Sequence, residues 1–260
     1  MNTLEKVLEA VVDASFRKKL RQKKLLIGTF QTLSCPEVTE ILLETGFDWI
    51  FIDAEHAPYS LQDVQRILQT AEGRCPCVVR VPLKDEIWIK RILDTGPAGI
   101  LIPHVSSVED AQEIIQVCMY PPEGRRSCGI SRAQSYGMKF QEYVKNANQE
   151  IAVILQIEHI DGVKNIESIV EVPGIAAVFV GPYDLSGSIG KLGDITDPEV
   201  EESIKKVKTV CERAGLAAGI FGVDAEAVKP YIDMGYTLIA VGADTLFLGK
   251  EANQTLRLLR

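Results

Sequence analysis

The chain has 260 residues, 46% hydrophobic and 25% charged, enough to bury a substantial core and still cover its surface with charge. Its formal net charge of -8 argues against a nucleic-acid partner, because phosphate backbones call for an excess of Lys and Arg on one surface. No apolar run approaches the roughly 18 to 20 residues of a membrane span, and the N-terminus lacks a secretory signal's uninterrupted apolar segment. A cytoplasmic protein without a membrane partner is expected.

In chain order, the first expected element is a helical extension over residues 1–23, in which Leu4, Val7, Leu8, Val11 and Val12 fall at helical spacing. The basic run 17–24 (RKKLRQKK) reads as its C-terminal end, where cations complement the macrodipole. Eight strands follow, at 24–30, 47–53, 77–81, 98–103, 151–157, 175–181, 217–221 and 237–242. Most are continuously apolar, as parallel strands buried on both faces are. Helices are expected between them at 36–45, 61–72, 85–95, 107–118, 162–170, 198–214 and 224–234. Gly46, Gly96, Gly215 and Gly235 each stand just past a helix and before a strand, the position of a left-handed C′ glycine.

No linker or low-complexity tract interrupts this alternation, so a single α/β domain over residues 1–260 is expected, a (β/α)8 TIM barrel. An open doubly wound sheet fits less well, since no G-x-G-x-x-G follows the first strand. The six cysteines lack C-x2-C spacing and read as free thiols. One crossover is unusual, because roughly 45 residues separate strands four and five, far beyond the usual loop. This excursion, 104–150, is expected to hold one helix and then PPEGRRSCGISRAQSYGM (121–138), forming part of the active-site rim or packing against a neighbouring subunit.

In such a barrel the active site stands at the C-terminal ends of the strands. There the sequence places Asp53, Glu55 and His56 after strand two, Arg80 in strand three, His104 after strand four, Gln156 and Glu158 at strand five, Asp184 after strand six and Asp244 after the last. A charge within an apolar strand is costly unless paired, so Arg80 and Glu158 imply a shared metal or anion site. Glu158 and Asp184 end consecutive strands, and two carboxylates with water and substrate oxygens suit Mg²⁺ or Mn²⁺, with Co²⁺ a further option. The plainer alternatives are a helix-capping Asp184 and a Glu158 paired to an arginine.

Taken together and in order, DAEHAP, VVRVP, LQIE and GPYDLS resemble the class II pyruvate aldolases of the HpcH/HpaI family, over about residues 25 to 250. The resemblance implies His56 as catalytic base, Arg80 as stabiliser of the transition state, Glu158 and Asp184 as metal ligands and Gln156 as a substrate contact. It further implies that main-chain amides of Tyr183 and Asp184 bind the pyruvate carboxylate and that Asp94 raises the basicity of His56, for which local spacing offers Asp53 as a second candidate. A divalent-metal-dependent cleavage of a 4-hydroxy-2-oxoacid to pyruvate and an aldehyde is therefore expected. A Schiff-base mechanism would need a lysine inside the barrel, and no strand interior beyond Lys24 has one. Competing readings are a lyase of the citrate-lyase or phosphoenolpyruvate-mutase type and a non-catalytic barrel that binds a 2-oxoacid. His104 stays unassigned, and Arg125 with Arg126 is open between a substrate's distal carboxylate and ion pairs between subunits. The resemblance also implies a homo-oligomer, a hexamer or trimer of dimers, with the C-terminal helix at 248–260 exchanged between neighbours.

Overall fold

The structure, a computed structural model, describes residues 15–260. A six-residue helix, α1 (Phe16–Arg21), leads into β1 (Leu26–Gln31). Strand and helix then alternate: α2 (Pro36–Thr45), β2 (Trp49–Asp53), α3 (Leu61–Ala71), β3 (Cys77–Arg80), α4 (Glu86–Asp94), β4 (Gly99–Ile102) and α5 (Val108–Cys118). A short 3-10 turn (Arg132–Gln134) and α6 (Phe140–Glu150) precede β5 (Ala152–Ile157). The rest is α7 (Ile160–Lys164), α8 (Ile166–Ile169), β6 (Ala177–Val180), α9 (Pro182–Ser188), α10 (Pro198–Arg213), β7 (Ala217–Gly222), α11 (Ala225–Asp233), β8 (Leu238–Ala243) and α12 (Asp244–Leu259). All eight strands are parallel and close in sequence order, β8 pairing back onto β1. This is the (β/α)8 barrel that the strand pattern predicts.

The helices start and stop where local chemistry says. Ser60 and Asp63 form a reciprocal capping box on α3, and the side chains of Asp85, Ser107 and Asp224 accept a first-turn N–H on α4, α5 and α11. At the other ends, Gly46, Gly96, Gly215 and Gly235 have φ of 87°, 80°, 77° and 94°, the left-handed conformation that lets the chain turn into the next strand.

Because side chains alternate along a strand, the barrel carries two separate apolar layers. Outward-facing Ile, Val and Leu pack under the helices in one large cluster. The inward-facing set fills the bore, with Trp49, Phe51, Phe30 and Phe179 among its members. Glycine makes room for these rings. A Cβ at Gly28 would stand 2.5 Å from the Trp49 ring, and one at Gly219 would stand 2.5 Å from Phe179.

Four expectations change. The basic run is not the tail of a longer helix, because Ser15 caps a new helix that begins at Phe16; the part of the expected extension before residue 15 lies outside the described residues. The helix expected at 162–170 is broken at Asn165 into α7 and α8. The long crossover holds a second helix, α6, which turns Tyr143, Val144 and Ala147 onto the core from an otherwise polar segment. Its loop does not build the rim: the Arg132 guanidinium donates to the Thr95 carbonyl at 2.7 Å and Ala133 packs on Gly96, both at the end where strands begin.

Candidate active site

The bore ends in an aromatic floor. Phe30 and Phe51 stack with centroids 3.9 Å apart, and Phe179 meets Phe51 edge-on at 5.8 Å. One inward position further along their strands, two residues later by the period-two rule, stand Asp53 after Phe51, Arg80 after Val78 and Gln156 after Ile154. Glu158 follows Gln156 by the same step. All four are buried, which makes the C-terminal mouth a polar layer on an apolar floor.

Arg80 organises that layer. Its Nε and Nη2 donate to the two carboxylate oxygens of Asp53 at 2.9 and 2.8 Å, a fork-on-fork pair, and Nη1 reaches Gln156 Oε1 at 3.4 Å. Its Cζ lies 5.6 and 5.4 Å from the Phe30 and Phe51 ring centres. Burial pulls the guanidinium pKa down, but the Asp53 hydrogen bonds and the charges of Asp53, Glu55 and Glu158 outweigh it and hold the pKa above its ordinary value. Arg80 is thus a fixed, permanent cation.

The carboxylates around it are strained the other way. Glu158 accepts the His104 main-chain N–H on Oε1 at 2.7 Å and the Gln156 amide on Oε2. Desolvation still raises its pKa, and the nearby charges of Glu55 and Asp184 add to the rise. Glu55 is raised for the same first reason, burial, against the opposing pull of Arg80. Its Oε2 lies 3.1 Å from Arg80 Nε, yet that hydrogen is spent on Asp53, so the oxygen is left without an aligned donor. Asp184 is exposed beside them in the first turn of α9. Gly181 keeps this corner open, since a Cβ there would stand 2.9 to 3.0 Å from Gln156 and Glu158.

A cleft of about 160 Å³ opens above the floor, lined by Phe30, His56, Arg80, Gln156, Tyr183 and Asp184 among others. It is well below the roughly 300 Å³ of a drug-sized pocket and suits a molecule of a few heavy atoms. The N–H groups of Tyr183 and Asp184 belong to the first turn of α9, where no earlier carbonyl is available to them.

The structure brings His56, Arg80, Gln156, Glu158, Tyr183 and Asp184 to one mouth. It does not bring Asp94 there. Asp94 ends α4, at the far end of the barrel from the strand termini, and pairs with the buried Arg126 at 3.0 Å. Within one chain it does not meet His56. Asp53 meets His56 only through the main chain, accepting its N–H at 3.4 Å, and the carboxylate facing the imidazole is Glu55, 3.7 Å from Nε2. Glu55 of DAEHAP has no role that spacing alone assigns; the fold makes it converge with Arg80, His56 and His104.

The other polar candidates have structural work. Asp244 accepts the main-chain N–H groups of Thr32 and Leu33 at 2.9 Å each and so pins the loop after β1. Arg125 pairs with Glu113 and Glu86 on the surface, and Arg126 lies between the Tyr120 and Tyr143 rings. Neither faces the cleft. His159 caps α7, its Nδ1 accepting from Asp161 N.

Barrel, aromatic floor and polar mouth define the class, an enzyme that acts on a small molecule. Residues 26–249 match the HpcH/HpaI aldolase/citrate lyase family, and the chain belongs to it. It is 35% identical to a hydroxypyruvate/pyruvate aldolase of Roseovarius nubinhibens over 93% of this chain and 95% of that one. It is also 35% identical to a 4-hydroxy-2-oxo-heptane-1,7-dioate aldolase of Escherichia coli, over 93% of each. The crystal structure of a family protein from Burkholderia cenocepacia J2315 superposes with a TM-score of 0.90 at 36% identity, covering 94% of this chain and 98% of that one.

Proposed function

We propose that the chain is a divalent-metal-dependent aldolase that cleaves a 4-hydroxy-2-oxoacid into pyruvate and an aldehyde. The observation that carries this reading is the small cleft where a fixed guanidinium, an exposed imidazole and an acidic corner converge. Glu158 and Asp184 fit a Mg²⁺ or Mn²⁺ ion. Burial, with the charges of Glu55 and Asp184 adding to it, raises the Glu158 pKa, and Oε2, which accepts the Gln156 amide while the His104 N–H and ring lie on Oε1, keeps a lone pair that a divalent cation can use. When bound there, the ion supplies Lewis acidity toward the keto oxygen.

The chain's own residues do the rest. The N–H groups of Tyr183 and Asp184 and the Gln156 amide hold the 2-oxoacid in the cleft. His56 takes the proton of the C4 hydroxyl as the C3–C4 bond breaks, and the electron pair moves into an enolate, onto whose C3 a proton is then returned. Arg80 faces the charge that develops on the enolate oxygen, and its Asp53 clamp spares it any reorganisation at that moment. Glu55, with a carboxylate oxygen 3.7 Å from Nε2, is the acidic neighbour that faces the imidazole.

A homo-oligomer, a hexamer or trimer of dimers, belongs to the same reading. Helix α12 leaves the barrel with Leu248, Leu258 and Leu259 at 66%, 80% and 79% exposure, and an apolar groove of about 490 Å³ between α2 and α12 lies open beside it. Exchange of this helix between neighbours would bury both. The six free thiols support a cytoplasmic location, and among the described residues no helix is long and apolar enough to cross a membrane.

The test is pyruvate release from a panel of 4-hydroxy-2-oxoacids. Activity is expected to vanish with chelator and to return with Mg²⁺ or Mn²⁺, while borohydride with pyruvate leaves no adduct. A stable reduced adduct would replace the metal mechanism by a Schiff base, and cleavage confined to acyl-CoA substrates would move the protein to the citrate-lyase side of its family.

A further inference from the structure

Among the residues at the mouth, His104 has the least ordinary backbone. Its φ is 56°, in the left-handed region that a side chain with a Cβ rarely occupies. Such a conformation persists only where the surroundings over-determine it. Here they do on three sides. The main-chain N–H donates to Glu158 Oε1 at 2.7 Å, Lys84 Nζ donates to the carbonyl at 3.0 Å while pairing with Asp110, and the next residue, Val105, donates its N–H to the Gln156 carbonyl at 3.2 Å.

The consequence is the placement of the ring. Nδ1 lies 3.1 Å from Glu158 Oε1 and Nε2 lies 3.2 Å from Glu55 Oε1, so one imidazole spans two carboxylates that burial and mutual repulsion disfavour. With it the polar layer closes into a ring of contacts, Arg80 to Gln156, Gln156 to Glu158, Glu158 to His104, His104 to Glu55 and, by charge proximity without a hydrogen bond, Glu55 back to Arg80. Four members of that ring have side chains at most 9% exposed or are fully buried residues, whereas the His104 side chain is 59% exposed. A side chain so exposed contributes little to the core. Its strained backbone and double contact need another account.

We propose that His104 is a positioning residue, whose ring bridges Glu55 and Glu158 and fixes the carboxylate of Glu158 for a divalent cation. This rests on the reading of Glu158 and Asp184 as cation ligands. Groups that orient a metal ligand from outside the coordination sphere matter for affinity by roughly 10- to 100-fold. The ring's contact with Glu158 is of that kind, and it couples Glu158 to Glu55, hence to Arg80 and to the side of the cleft where His56 stands.

Binding of Mn²⁺ alone, followed by electron paramagnetic resonance and by calorimetry, tests it on the full chain. His104→Gly accepts the left-handed backbone and keeps the main-chain N–H to Glu158 but removes the ring. His104→Asn also tolerates that backbone and returns one side-chain donor. The expected result is a roughly 10- to 100-fold weaker Mn²⁺ affinity for His104→Gly, partial recovery for His104→Asn, and thermal midpoints for both close to the parent's. Mn²⁺ affinity of His104→Gly within about twofold of the parent, or equal loss in both variants, would overturn the positioning role while leaving the cation site standing. A parent chain that binds no Mn²⁺, but loses no activity to chelator, would instead overturn the cation reading and the positioning role with it.

Discussion

Two buried arginines at opposite ends of the barrel show what a cation is for. Arg80, at the mouth, is gripped by the Asp53 carboxylate and faces Glu55, and its pKa is held above the ordinary value. Arg17, at the base, donates instead to the main-chain carbonyls of Asn148, Ile151 and Gly174 at 2.6, 2.9 and 2.9 Å. Burial first, then the neighbouring charge of Arg21, pulls its pKa down to about 10. Carbonyl dipoles satisfy donors but compensate a charge less than carboxylates do. Arg17 is therefore a tether that closes the base, tying α1 to the segments before β5 and β6, while Arg80 is a compensated charge that, on the proposed function, meets the substrate.

Substituting each arginine is expected to separate these roles. Arg80→Ala should lower kcat for pyruvate release by roughly 10²- to 10³-fold and destabilise the fold by about 3 to 5 kcal/mol, since Asp53 would be left buried and unpaired. Turnover within tenfold of the parent would make the mouth arginine a tether too. Arg17→Met should cost about 3 kcal/mol in urea unfolding, from carbonyls left without donors, with kcat per folded molecule unchanged. A kcat that fell with intact folding would couple base to mouth and dissolve the contrast.

The smallest effect concerns pH. In the cation-free chain Glu158 has a raised pKa, so between an ordinary glutamate's pKa and that raised value the folded state holds more protons than the unfolded one. Stability should fall as pH rises through that window. Glu158→Gln should flatten this slope and be the more stable protein at neutral pH without cation, at the expense of stabilisation by added Mn²⁺. Urea midpoints at several pH values, with and without Mn²⁺, measure both; a variant that keeps the parent's slope would show that Glu158 does not carry it.

Much of the architecture was legible in the chain because its signals are local. Apolar runs of four to seven residues, separated by C′ glycines such as Gly46 and Gly235, are set by backbone sterics and the burial of both strand faces, and each observed strand lies on the expected run within about two residues. Helix α6 carries an apolar stripe, Phe140, Tyr143, Val144 and Ala147, but the segment is otherwise polar and follows the Gly-, Arg- and Ser-dense stretch 121–138, which reads as loop; the break at Asn165 escaped because the apolar spacing runs through it. For the site, strand-end position picked out Arg80, Gln156, Glu158 and Asp184. It could not tell Asp244, which pins a loop, from residues that face the cleft, because both stand at a strand's C-terminal end.

The sequence by itself determined the succession of strand and helix, hence the barrel, and which polar residues stand at the strands' C-terminal ends, since apolar runs and glycine placement are local signals. The pairing among mouth residues was decided only by the tertiary structure. That Glu55 rather than Asp53 faces the His56 ring, that Asp94 stands at the opposite end beside Arg126, and that His104 turns left-handed to span two carboxylates all depend on how neighbouring strands and loops converge. Spacing along the chain fixes which end of a strand a residue occupies, but polar groups meet through space, across strands whose paired residues lie 27 to 76 positions apart.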